Sequence, residues 1–204
     1  MTMSLHPSHY YAELAEDRLQ LIANRLLDVR YNTIAVLQSE YDTNYVRECA
    51  VFGRQHEMLI QLWASKEYAW LDMKHAGMDL TFYIGSVPCR FFTDDPKYPQ
   101  KHGFFRRNQV DQLFAPDDTQ PVMWRFVIER AMTDDDEDSV YLIGYNVFEE
   151  KICEWRHRRG TGVLHSVDAI TPPSVDLPDA EISVRVPDDK PDESAELGTG
   201  TDAK

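Results

Sequence analysis

The chain reads as an α+β fold, a long N-terminal helical hairpin packed on a small, mostly antiparallel β-sheet, followed by a disordered acidic C-terminal tail. Three observations carry that expectation. Apolar residues recur every three or four positions through the first 76 residues, as one face of a helix requires. From Asp79 onward the period falls to two, the mark of strands. From Ser166 the core-forming side chains thin out, and after Gly160 ten acidic residues stand against three basic ones. The organisation expected is one α+β domain over 1–165, with the hairpin at 8–76 and the sheet-rich part at 79–165, and a Pro- and Asp-rich tail over 166–204.

Ser8 is the expected cap of a first helix reaching about Tyr41, because Ala15, Leu19, Ile22, Leu26, Val29, Thr33 and Val36 form one stripe. A second helix starts at Asp42-Thr43, where either side chain can accept from a first-turn N–H, and stops at Gly77. Its stripe holds Val46, Cys49, Phe52, Leu59, Trp63 and Trp70, with Gly53 as a point of weakness. Next comes the sharpest signal, DLTFYIGSVPCRFFTDD over 79–95. Leu80, Phe82 and Ile84 share one parity, Val87, Cys89 and Phe91 another, and Gly85-Ser86 marks a hairpin turn. Pro88, lacking a donor, fits a strand start or an edge.

Residues 96–103 read as an irregular loop, and Asn108 as the cap of a short helix carrying Val110, Leu113 and Phe114. Strands are expected over Val122–Met132, Val140–Phe148 and Ile152–Trp155, with the acidic run Asp134–Asp138 as a solvated turn. Within the tail, EISVRV at 181–186 alternates like a strand able to add to a sheet edge.

The formal charge is −14, half of it carried after Gly160. Such a field repels duplex DNA unless a local basic patch overrides it. The start of the chain has neither the basic nor the apolar region of a secretory signal, and no apolar run reaches the length of a membrane span. Cys49, Cys89 and Cys153 are odd in number and far apart, which suits a reducing compartment and a cytoplasmic protein.

Motifs that carry chemistry are missing. His56-Glu57 begins like a zinc-protease helix, but position 60 is Ile60, where a second histidine would have to stand. Ser86 is followed by strand, not by the helix of a nucleophile elbow. Arg159-Gly160-Thr161-Gly162 lacks the lysine of a phosphate loop. Asp94, Asp95 and Glu129, or Glu149 with Lys151, could be pressed into a two-metal nuclease, but each pair also suits a strand end or a turn. No cofactor and no metal are therefore expected.

What stands out is the placing of positive charge beside aromatic rings. Lys101, His102, Arg106 and Arg107 lie among Tyr98, Phe104 and Phe105, Arg156 and Arg158 flank Trp155, and Arg90 and Arg125 lie on the strands between. Together these nine (Arg90, Lys101, His102, Arg106, Arg107, Arg125, Trp155, Arg156 and Arg158) form the candidate anion or nucleic-acid site. The leading functional expectation is a non-catalytic cytoplasmic interaction or regulatory protein whose partner is another protein. The alternative is a nucleic-acid or nucleotide-binding protein, phosphodiester hydrolysis included, acting through 97–107 and 151–159. No membrane partner is expected, and the sequence is silent on oligomeric state. A shared groove of arginines favours the alternative, whereas arginines consumed by internal partners favour the first.

Overall fold

A computed structural model describes residues 5–106, 119–131, 133 and 136–157. Two helices, α1 (Glu16–Val36) and α2 (Asn44–Ala64), pack on a six-stranded sheet of β1 (Leu71–His75), β2 (Thr81–Ile84), β3 (Val87–Thr93), β4 (Met123–Glu129), β5 (Ser139–Tyr145) and β6 (Lys151–Arg156). Strands lie in sequence order, and every neighbouring pair is antiparallel except β3 and β4. The expected helical hairpin on a mostly antiparallel sheet is the fold observed. The short helix expected at Asn108, Arg107, Arg158, the strand at 181–186 and the tail from 166 all lie outside the described residues.

The hairpin differs from expectation at its ends. Ser8 does not cap α1: its N–H donates to His6 Nδ1 within a 3-10 turn, Pro7–His9, and α1 begins only at Glu16. No side chain caps it there, but Glu16 and Asp17 place negative charge on the positive end of the helix. α1 stops at Val36 rather than Tyr41, because the Asp42 carboxylate gathers the N–H and the hydroxyl of Ser39 into a tight turn. Thr43 then caps α2 through Val46 N–H, as its sequence position suggests.

The buried face of α1 is Leu19, Ile22, Ala23, Leu26, Leu27, Arg30 and Thr33, so the stripe runs through Arg30 where the apolar count chose Val29. Gln55, fully buried on α2, ties the helices together by donating to Leu26 O at 2.9 Å. Gly53 does not interrupt α2, and a Cβ there would meet nothing within 4 Å. Gly53→Ala should therefore stabilise the protein by up to about 1 kcal/mol, read as a rise in the urea midpoint at constant slope.

The second correction falls at 65–77. α2 ends at Ala64, Lys66 takes the left-handed conformation at φ 58°, and Leu71–His75 forms β1 instead of extending the helix to Gly77. Trp70 is consequently off the helix: its carbonyl accepts the Gly85 N–H, and Arg18 lies over its ring. Trp63 is only partly buried, with the Lys66 ammonium 4.1 Å from its ring centroid.

Both parities of the β2–β3 hairpin join one core, where Phe82, Ile84, Val87, Cys89 and Phe91 meet the helices. Gly85 turns at φ +63°, and a Cβ there would run into the Glu13 side chain. Pro88 is the second residue of β3, one position before pairing with β4 begins at Cys89. Because β3 and β4 are parallel, the chain must return from the end of β3 to the start of β4 at the other end of the sheet. Part of that crossover, Phe104 and Phe105, packs with Phe92, Val127, Ile143 and Tyr145 on a second core. The chain between β3 and β4 thus brings the first basic segment against the sheet.

Candidate functional site

Arg90 and Arg125 sit side by side across the parallel β3–β4 pair, 4% and 1% exposed. Arg125 donates to the carbonyls of Phe104 at 2.8 Å, Trp124 at 3.1 Å and Arg106 at 3.2 Å. Arg90 donates to Gly103 O at 3.3 Å and to the Asp79 carboxylate at 3.0 Å. Arg106 reaches the other Asp79 oxygen at 2.7 Å. Two buried guanidinium groups thus pin the 103–106 loop by its own carbonyls, and Asp79 clamps it from the side.

The front of the same crossover is folded by carboxylates. Asp94 Oδ2 accepts the N–H groups of Gln100 and Lys101 at 2.8 and 2.7 Å, and Asp95 accepts those of Lys97 and Tyr98. Glu129 accepts the Tyr141 hydroxyl. These carboxylates are structural acceptors, and among the described residues no three His, Cys, Asp or Glu side chains are grouped to hold a metal ion.

Held in this way, Lys101 and His102 face α2 across a groove of about 360 Å³. Its floor is Phe52, Leu80 and Phe91, with the two phenyl rings stacked at 5.5 Å and 27°. Tyr45, Cys49 and Glu48 form the helical wall, and Met78 stands at the mouth. The sequence reading missed Tyr45, Cys49 and Met78: Cys49 was assigned to the stripe of the second helix, and Tyr45 and Met78 belong to none of its patterns. A second hollow, lined by Asp94, Asp95, Tyr98, Glu129 and Arg130, adjoins the groove through Glu48, Thr93 and Lys101.

The seven described candidates therefore separate. Arg90, Lys101 and His102 line the groove, while Arg106 and Arg125 hold its loop from behind. Trp155 and Arg156 border a different cleft of about 930 Å³, which shares no lining residue with the groove. Trp155 is no stacking platform: it is 6% exposed, and its indole N–H donates to Glu16 at 2.7 Å. Arg156 lies over Tyr141 and donates to the Ser139 hydroxyl.

His6 and Glu16 line that cleft, and Ser8, His6 and Glu16 are linked by contacts of 2.7 and 2.9 Å, in the order of a nucleophile, base and orienting acid. His6 Nδ1 also takes the Ser8 N–H, and the N–H groups of His9, Tyr10 and Tyr11 are all spent on His6 O and Pro7 O, so among the described residues this turn leaves no backbone N–H of 8–11 for an oxyanion. Burial opposes ionisation of Glu16, but hydrogen bonds from His6, Gln20 and Trp155 outweigh it and keep the carboxyl below its ordinary range. The relay ties the N-terminal turn to α1 and β6.

None of the three cysteines is in a disulfide; Cys49 is exposed and Cys89 and Cys153 are buried. Burial pushes the Cys153 thiol up to about 12. No described helix is long and apolar enough to cross a membrane. Comparison of the chain with protein-family models, with curated proteins and with solved structures gives no significant match, so a functional reading must start from the groove itself.

Proposed function

We propose that the chain is a non-catalytic, cytoplasmic interaction protein with a regulatory role, and that it binds a partner protein in the groove between α2 and the 90–102 segment. The observation that carries this reading is the combination of an aromatic floor with two large apolar side chains at its edge, Tyr45 and Met78, each 78% exposed. Tyrosine and methionine are enriched at interface cores, and methionine adapts to its partner. Tyr41 and Val46, also exposed, continue the apolar surface along the start of α2.

The nucleic-acid alternative is less well supported because two of its arginines, Arg90 and Arg125, are buried and hold internal acceptors rather than facing a backbone of phosphates. The reduced thiols suit a cytoplasmic setting.

The test is a capture experiment with the full chain and a Tyr45→Ser/Met78→Ser variant, both checked for the same melting temperature. A partner held by the unaltered chain should bind the variant about 10-fold or more weakly, since central aromatic and apolar anchors each carry more than about 1 kcal/mol. Equal retention by both, or salt-sensitive binding of labelled single-stranded RNA or DNA by the unaltered chain, would move the function elsewhere.

A further inference from the structure

The charges around the groove are not equally available. Glu48 is held by Arg30 through two contacts of 3.1 Å, with Arg130 a further 3.7 Å away. Asp79 is held by Arg90 at 3.0 Å and by Arg106 at 2.7 Å. Both wall carboxylates are thus matched by arginines of the chain itself. The Lys101 ammonium and the His102 ring, in contrast, make no ion pair or hydrogen bond with another described residue. The charge that the groove leaves for a partner is positive, although the protein as a whole carries −14.

We infer that the groove receives an acidic peptide segment of the partner, with an aromatic side chain seated against Phe52 and Phe91 and a neighbouring carboxylate reaching Lys101 and His102. This deepens the interaction reading above and rests on it. A basic segment would bring like charge to Lys101 while finding both wall carboxylates already engaged, and a buried cation without a partner is costly. A single-stranded nucleic acid could also stack a base on the floor. It would then carry a phosphate per nucleotide across a surface whose first 160 residues alone hold an excess of seven negative charges, whereas a peptide needs only one or two carboxylates at the Lys101 ammonium and the His102 ring N–H. The volume, about 360 Å³, is at the small end of ligand sites and suits one anchoring side chain with its adjacent backbone.

Cys49 supplies the readout. It lies in the groove wall and is exposed, while Cys89 and Cys153 are buried, so iodoacetamide should alkylate the native full-length protein at Cys49 alone. Four probes are added at about 1 mM, the affinity range of a one-anchor peptide. They are acetyl-Glu-Asp-Trp-Asp-Glu-amide, the same peptide with alanine for tryptophan, acetyl-Lys-Arg-Trp-Arg-Lys-amide, and an oligothymidylate. The acidic tryptophan peptide should roughly halve the alkylation rate at that concentration, and the other three should leave it unchanged. A Lys101→Glu/His102→Glu variant, each rate referred to its own peptide-free rate, should lose the protection while keeping its melting temperature. Equal or greater protection by the basic peptide or the oligothymidylate overturns the inference, as does protection that survives the double charge reversal or its absence with all four probes. If the Tyr45→Ser/Met78→Ser variant loses its captured partner in any of those cases, the interaction reading stands and only the acidic class falls.

Discussion

Arg30→Ala should destabilise the protein by about 3–5 kcal/mol, the cost of removing one partner from a buried ionic cluster. Arg30 is 4% exposed and joins three elements: its Nε donates to Asp138 at 2.7 Å, just ahead of β5, and its two terminal nitrogens each donate to Glu48 on α2 at 3.1 Å. Burial works against the guanidinium charge, and its hydrogen bonds to the Glu48 and Asp138 carboxylates more than restore it. Without the arginine, the Asp138 side chain, 7% exposed, is left charged and facing the space it filled. Urea unfolding measures the loss. Arg30→Lys should recover only part of it, because an ammonium cannot fork to Glu48 and reach Asp138 at once. A cost below about 1 kcal/mol for Arg30→Ala would mean that the cluster behaves as a surface pair. The cluster also bears on the groove: Arg30 and Arg130 together offset the charges of Glu48 and Asp138.

Arg30 shows why some of the fold was legible and some was not. An apolar stripe is counted from side chains that dislike water, so the count passed over a charged residue and took Val29, one position away, in its place. What buries Arg30 is a pair of carboxylates 18 and 108 residues distant, which no local pattern carries. The β2–β3 hairpin was legible because everything it needs is local, two alternating runs and a Gly-Ser turn. Strand β1 was not, because LDMKH is too short to show a period and becomes a strand by pairing Met73 with Phe82 and Leu71 with Ile84. Ser8 has the chemistry of a cap, but the His6 ring takes its N–H first, and the helix begins eight residues later.

The candidate site was legible to the same degree. Lys101 and His102 were chosen for lying among aromatic residues, and they line the groove. Arg106 was chosen on the same ground, and Arg90 and Arg125 for lying on the strands between the basic segments, yet the hydrogen-bond partners of all three are carbonyls and Asp79. A sequence displays donors and leaves acceptors invisible, since backbone carbonyls occur at every residue and only the fold says which are left over. Tyr45 and Met78 escaped for another reason. Neither belongs to an apolar stripe or an alternating run, and only the structure shows both standing exposed at the groove.

Arg125→Met should cost about 3 kcal/mol or more, whereas Arg156→Glu, at the other end of the same basic set, should change stability by less than about 1 kcal/mol. Arg125 is 1% exposed and ties down the carbonyls of Phe104 and Arg106; methionine fills much of the space but leaves those buried acceptors unmatched. Arg156 is exposed, and its hydroxyl and ring contacts can be replaced by water. The damage at Arg125 should spread along the crossover: amides of 103–106 should exchange faster in Arg125→Met, and the acidic tryptophan peptide should protect Cys49 less well, because the loop presenting Lys101 and His102 has lost its anchor. Thermal melts and amide hydrogen exchange on the two variants decide the matter. If Arg125→Met keeps the wild-type melting temperature and loses only a binding activity, the guanidinium is held in place for an external anion, and the nucleic-acid reading returns with Arg90 and Arg125 at its centre.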